Sequence, residues 1–169
     1  MRAPELAEGI DYSILFYGGR LLSHLSPDDP EVDDFISLRW LNRNMVILMD
    51  SDRKAAGVDL NPTKRRIESK WAEQPGFAGV TDGREIENYV DPDAMLAALE
   101  ANAPKKPHER QDSKYERCIG LDASGRPVTD KVKVARWLAD KGKLTLAVLD
   151  LDSRIAMLCA FIKASNGSA

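Results

Sequence analysis

Residues 45–49, Met-Val-Ile-Leu-Met, run directly into Asp50-Ser51-Asp52-Arg53. An unbroken apolar run of this length reads as a buried strand. Two carboxylates at its exit then need either water or a cation. If the chain stays extended, Asp50 and Asp52 project to one face, about 6.5–7 Å apart at Cα. That spacing suits two carboxylates on one hard cation, or one on each of two metals ~3.5–4 Å apart. A solvated acidic turn is the equal alternative. An EF-hand loop is excluded, because the fifth position of that pattern falls on Lys54.

Other apolar runs set the frame. Residues 12–17, Tyr-Ser-Ile-Leu-Phe-Tyr, read as a second buried strand closed by Gly18-Gly19, and 77–81 as a third, followed by the turn Asp82-Gly83. Residues 20–25 have a helical look, and 35–41 suit helix or strand equally. Asn61-Pro62 predicts an N-cap and first residue for a helix over 63–74, ended by Pro75-Gly76. Residues 93–101 and 132–142 have helical periodicity, the latter with Gly142 as its stop. Asp152 is expected to cap a closing amphipathic helix over 153–166. Residues 102–130 are polar and rich in proline and glycine, and read as a long mobile loop or insertion. Strands separated by helices argue for a single α/β domain over 1–169 with a small, open, mostly parallel sheet. In such sheets ligands gather at the carboxyl ends of the strands.

Composition narrows the function classes. With 169 residues and a net charge of −3, the chain has the size of one domain and no general field for a polyanion. Any DNA contact must come from local basic patches or bound cations. Cys118 and Cys159 lack CxxC spacing and read as reduced thiols, not as a disulfide or zinc site. No apolar run reaches the ~18 residues of a membrane span, and the acidic start carries no secretory signal. The expected location is the cytoplasm, with no membrane partner.

A second acidic pair follows the 77–81 run: Glu85 and Glu87, in Gly-Arg-Glu-Ile-Glu-Asn-Tyr-Val. In extended chain both face one way; in helix they diverge by about 200°. Taken alone, the pair suits a helix start. Together, four carboxylates at two strand exits of one sheet repel unless something positive lies between them, and all-oxygen ligation selects Mg²⁺ or Mn²⁺. Lys131, with Lys133 two residues on, can neutralise charge developing on a phosphate.

The runs NRNMVILMDSDR, TDGREIENYV and KVKVARWL, in that order, resemble the TOPRIM nuclease domain of the OLD (overcoming lysogenization defect) family. The likeness covers roughly residues 12–165. It implies a TOPRIM fold, a small parallel sheet flanked by helices on both faces, and a divalent-metal-dependent DNA endonuclease. By motif position it makes Asp50, Asp52, Glu85 and Glu87 the metal ligands and Lys131 the catalytic lysine, with Lys133 as the other candidate. Such domains usually follow an ATPase and many relatives serve antiviral defence. No P-loop motif occurs in these residues, so the implied ATPase acts as a separate domain or subunit in trans; self-association is a further option. One departure from the family pattern stands out: the usual first-strand glutamate is replaced by Tyr17, a poor Mg²⁺ ligand with an ordinary pKa near ~10. A one-metal site, or a decayed module serving oligomerisation or ATPase docking, is therefore the alternative.

The remaining features are less specific. Gly18-Gly19-Arg20 suits a sharp turn better than a phosphate cradle. Lys64-Arg65-Arg66 is placed to guide a phosphate backbone. The cations of the 102–130 segment (Lys105, Lys106, Arg110, Lys114, Arg117), with Tyr115 for stacking, are a weaker DNA candidate. His24 and His108 lack ligand spacing, and Trp40, Trp71 and Trp137 read as core or interface anchors.

Overall fold

A computed structural model describes residues 3–16, 29–30, 32–34, 37, 42, 44–72 and 76–167. Tyr17, the Gly18-Gly19-Arg20 turn, the expected helix over 20–25, His24 and Trp40 lie outside the described residues, as does nearly all of 35–41. The protein is α/β with a small open parallel sheet. Its elements run β1 (Ile47–Met49), α1 (Pro62–Trp71), β2 (Ala78–Val80), a 3-10 turn (Ile86–Tyr89), α2 (Pro92–Asn102), α3 (Lys131–Asp140) and α4 (Leu151–Ser165). Two compact units result: residues 1–49, 59–80 and 152–169 form the first, residues 50–58 and 81–151 the second.

In the first unit β1 and β2 pair in parallel, Ile47 opposite Ala78, Leu48 opposite Gly79 and Met49 opposite Val80. Parallel neighbours need a crossover, and α1 lies within it. Asn61 caps α1 by accepting from the Thr63 amide at 2.8 Å, with Pro62 in the first turn where its missing N–H costs nothing. Ile67 and Trp71, one turn apart, are fully buried with Val32 and Met49. Leu48 is exposed, so the apolar run is covered on one face and is not buried throughout. At the turn into β2, Gly76 has φ +98°, and a Cβ there would sit 2.2 Å from the Met45 carbonyl oxygen. Phe161 of α4 meets Phe77 edge-to-face at 5.9 Å.

Two expectations fail in this unit. The apolar run at 12–17 forms no strand among its described residues: Tyr12 makes a single bridge to Glu8, and Ile14, Leu15 and Phe16 are exposed. Asp152 lies inside α4, one residue past its start, and so is an acidic first-turn residue in place of a cap.

The second unit is built on α2 against α3. Ala94, Met95, Ala98 and Leu99 meet Val134 and Leu138, with Cys118 and Ile119 completing the core. Asp91 caps α2 through the Asp93 and Ala94 amides. α3 ends as expected at Gly142 (φ +62°), where the Lys143 amide reaches the Leu138 carbonyl and the Gly142 amide that of Ala139. The 103–130 segment has no helix or long strand, but it does not float: Cys118 and Ile119 anchor it in the core.

Candidate functional site

The predicted metal ligands and the predicted catalytic lysine all fall in the second unit. Asp50 follows β1 directly, and the segment it opens is laced to residues 81–86. The buried Ser51 donates its amide to Thr81 Oγ1 at 2.8 Å and its hydroxyl to the Gly83 carbonyl at 2.7 Å. The Asp52 amide reaches the Arg84 carbonyl at 2.9 Å, and the Ile86 amide reaches Asp50 Oδ1 at 2.8 Å. Gly83 is needed for this close approach: a Cβ there would lie 2.6 Å from Asn88 Cβ. The two acid-x-acid motifs thus form one assembly.

Neither motif has the extended geometry that would put its acids on one face. β1 stops at Met49, and Asp52 is left-handed (φ +55°) and exposed. The strand is too short to carry the pair, so the same-face spacing does not apply. Glu85 is extended (φ −133°, ψ 163°), whereas Glu87 lies in the 3-10 turn. Asn88 holds that turn by accepting the Glu85 amide on Oδ1 at 2.8 Å, while its own amide reaches the Glu85 carbonyl at 3.0 Å.

Both glutamates nevertheless meet one cation. Lys131, the first residue of α3 after its cap Asp130, places Nζ 2.5 Å from Glu87 Oε1 and 3.9 Å from Glu85 Oε2. Of the two candidate lysines, Lys131 is therefore the one that reaches the acids. Arg117 adds a second cation, Nη1 lying 2.8 Å from Glu85 Oε1. Glu85 is 4% exposed, and Glu87 Oε2 is buried with no hydrogen-bond donor among the described residues.

The charges act on one another. Burial raises the Asp50 pKa, opposed by the Ile86 hydrogen bond and reinforced by Glu87, Asp52 and Glu85. Burial works against the Lys131 ammonium, but the hydrogen bond and charge of Glu87, with Glu85 and Asp50, outweigh it and the pKa is raised. The Cys118 thiol, which accepts from Asn88 Nδ2 at 3.3 Å, is pushed up to about 11 by burial and by Glu87 and Glu85. It is a core thiol, not a nucleophile.

The acidic cluster fits a hard cation in its chemistry: an all-oxygen donor set, mutual repulsion felt at Asp50, and one buried carboxylate oxygen without a donor. It is not in a ligating arrangement. Among the described residues no three His, Cys, Asp or Glu side chains converge as a metal would require. Lys131 and Arg117 supply the positive charge instead.

The basic candidates behave differently from their sequence reading. Lys64 is buried, Arg66 pairs with Asp33, and Arg65 lies 3.5 Å from Asp59. In the 103–130 segment, Arg110 pairs with Asp93 and Asp112, Lys114 with Asp82, and Arg117 with Glu85. Most of these cations therefore spend their charge on the chain's own acids. His108 is tied to the Ala103 carbonyl, Trp71 is core and Trp137 packs beside the α2–α3 core.

Sequence reasoning missed Arg117 as a site residue, treating it as one of several loop cations. It also passed over Arg84, whose Nε, like that of Arg53, is buried without an acceptor among the described residues. Their positions, next to Glu85 and Asp52, were the available signal. No helix among the described residues is long and apolar enough to cross a membrane. No family model, curated protein or solved structure matches the chain.

Proposed function

We propose that this chain is a TOPRIM-like domain of the OLD-family kind that cleaves DNA phosphodiester bonds with Mg²⁺ or Mn²⁺. The observation that carries the reading is the meeting of Asp50, Glu85 and Glu87 with Lys131 in one assembly, although they come from three separate stretches of sequence. An unused cluster of buried carboxylates costs stability, so its retention argues for use. A divalent cation, when bound, supplies polarisation of the scissile phosphate and activation of water. Asp50, Asp52, Glu85 and Glu87 are the acidic groups available to hold it, and Lys131 stabilises negative charge developing on the phosphate. The partners in this reading are DNA and an ATPase domain or subunit in trans, and self-association is compatible with it.

One observation favours a second reading. Lys131 and Arg117 already neutralise the two glutamates, as they would in a decayed module kept for docking onto an ATPase. Supercoiled plasmid incubated with the chain and Mg²⁺ or Mn²⁺ separates the two. Nicking that disappears in the double variant Asp50→Ala, Asp52→Ala supports the nuclease. Absence of nicking by the folded parent, with the ATPase partner supplied, supports the docking module.

A further inference from the structure

The second unit holds four half-buried cations: Arg53, Arg84, Lys114 and Arg117. Two of them are answered by acids, Lys114 by Asp82 at 2.7 Å and Arg117 by Glu85 at 2.8 Å. Arg53 and Arg84 are not. Neither makes an ion pair among the described residues, and the Nε of each is enclosed with no acceptor there. A guanidinium has five N–H donors and no acceptor, so an enclosed Nε left alone forfeits the hydrogen bond it had in water. A group in that state calls for an ion or a water as its partner.

The two arginines are also neighbours by construction. The Asp52 amide donates to the Arg84 carbonyl at 2.9 Å, and the Arg84 amide to the Lys114 carbonyl at 2.7 Å. The Arg53 amide donates to Ser51 Oγ at 3.3 Å, and that hydroxyl donates to the Gly83 carbonyl at 2.7 Å. Residues 53 and 84 therefore flank one set of hydrogen bonds that fixes the backbone beneath both side chains.

We propose that Arg53 and Arg84 together form an oxyanion site for a phosphate group. Several acceptor oxygens on one centre suit guanidinium donors in geometry as well as charge, so a single phosphate answers both arginines. The inference does not rest on the nuclease reading, because it needs no cation at the acids. The phosphate comes from either of two sources, a free anion or the backbone of a nucleic-acid strand.

Proton–nitrogen spectra of the arginine Nε–H groups test this on the ¹⁵N-labelled full chain, with EDTA present to exclude metal. Arg53→Gln and Arg84→Gln identify the two signals, and the exposed Arg126 and Arg136 serve as internal controls. Inorganic phosphate and a short thymidine oligonucleotide are titrated separately. The expected result is that the Arg53 and Arg84 signals shift together with one dissociation constant while the controls stay in place. In Arg53→Gln, the affinity read at Arg84 should fall about tenfold. A response to the oligonucleotide alone assigns the strand backbone as the source, and a response to inorganic phosphate alone assigns the free anion; both support the site. Silence at both arginines overturns it. So does a response at only one of them, or an equal response at Arg126 and Arg136, since diffuse charge then suffices. These overturning outcomes leave the nuclease reading standing on its acids, to be judged by plasmid nicking.

Discussion

Asp50-Ser51-Asp52 and Glu85-Ile86-Glu87 share one pattern, two acids separated by a single residue at a strand exit, yet they live in different physical settings. Asp50 is half-buried and accepts an amide hydrogen bond from Ile86, whereas Asp52 is exposed in a left-handed turn. Glu85 and Glu87 are largely withdrawn from solvent and answered by Arg117 and Lys131. Burial decides the difference. An exposed carboxylate can leave its charge to water, whereas a buried one is stable only beside a counter-charge. The same spelling therefore yields one pair with a half-buried and an exposed acid, and one pair answered by internal cations.

The largest expected effect comes from breaking the buried side of this contrast. Arg117→Met leaves Glu85 without its nearest cation and should cost about 2–3 kcal/mol in urea denaturation, below the ~3–5 of a fully enclosed pair because Arg117 is partly exposed. A cost under about 0.5 kcal/mol would mean that the two glutamates are no more dependent on counter-charge than the aspartates. Next comes the exposed side. Asp52→Ala should cost about 1 kcal/mol, because alanine tolerates φ +55° poorly, while Asp52→Asn should be nearly neutral in the same assay. Equal costs for the two would show that charge, not backbone, matters there.

Lys131→Met should destabilise the chain by less than about 1 kcal/mol, since the ammonium is half open to water. A loss as large as that of Arg117→Met would mean that the buried glutamates depend on both cations alike. The smallest effect is a pH dependence at Asp50. Its folded pKa is raised, first by burial, so its contribution is fully present below the unfolded pKa and is lost as pH rises through the folded one. Asp50→Asn should therefore be more stable than the parent at pH 7, with the advantage vanishing in acid. Urea midpoints at the two pH values check the sign; a less stable variant at pH 7 would mean that the ionised carboxylate is favoured, as for a satisfied surface acid.

Much of the framework was legible in local sequence. Asn61-Pro62 states its cap and first turn outright, Gly142 its helix stop, and the 45–49 and 77–81 runs their pairing strands. These signals act within a few residues, so the chain spells them out. The 12–17 run shows the limit. Its residues have strand composition, but strand formation depends on a partner that composition cannot specify, and Ile14, Leu15 and Phe16 stand exposed. The Asp52 turn was illegible for a related reason, because it depends on the Arg84 carbonyl, far along the chain. At the site, the four acids and Lys131 could be named from motif order. Arg117 could not, since its role arises only when residues 113–119 fold back onto residues 82–88. Local pattern gives the address of the acids; long-range return decides which of them receive a cation.

The proposed nuclease reading requires this acidic assembly to take up a divalent cation. Crystals of the chain soaked in Mn²⁺ and measured at the manganese absorption edge address it directly. The predicted result is an anomalous peak beside Glu87 and the Asp50–Asp52 turn. A map with no peak there would contradict it.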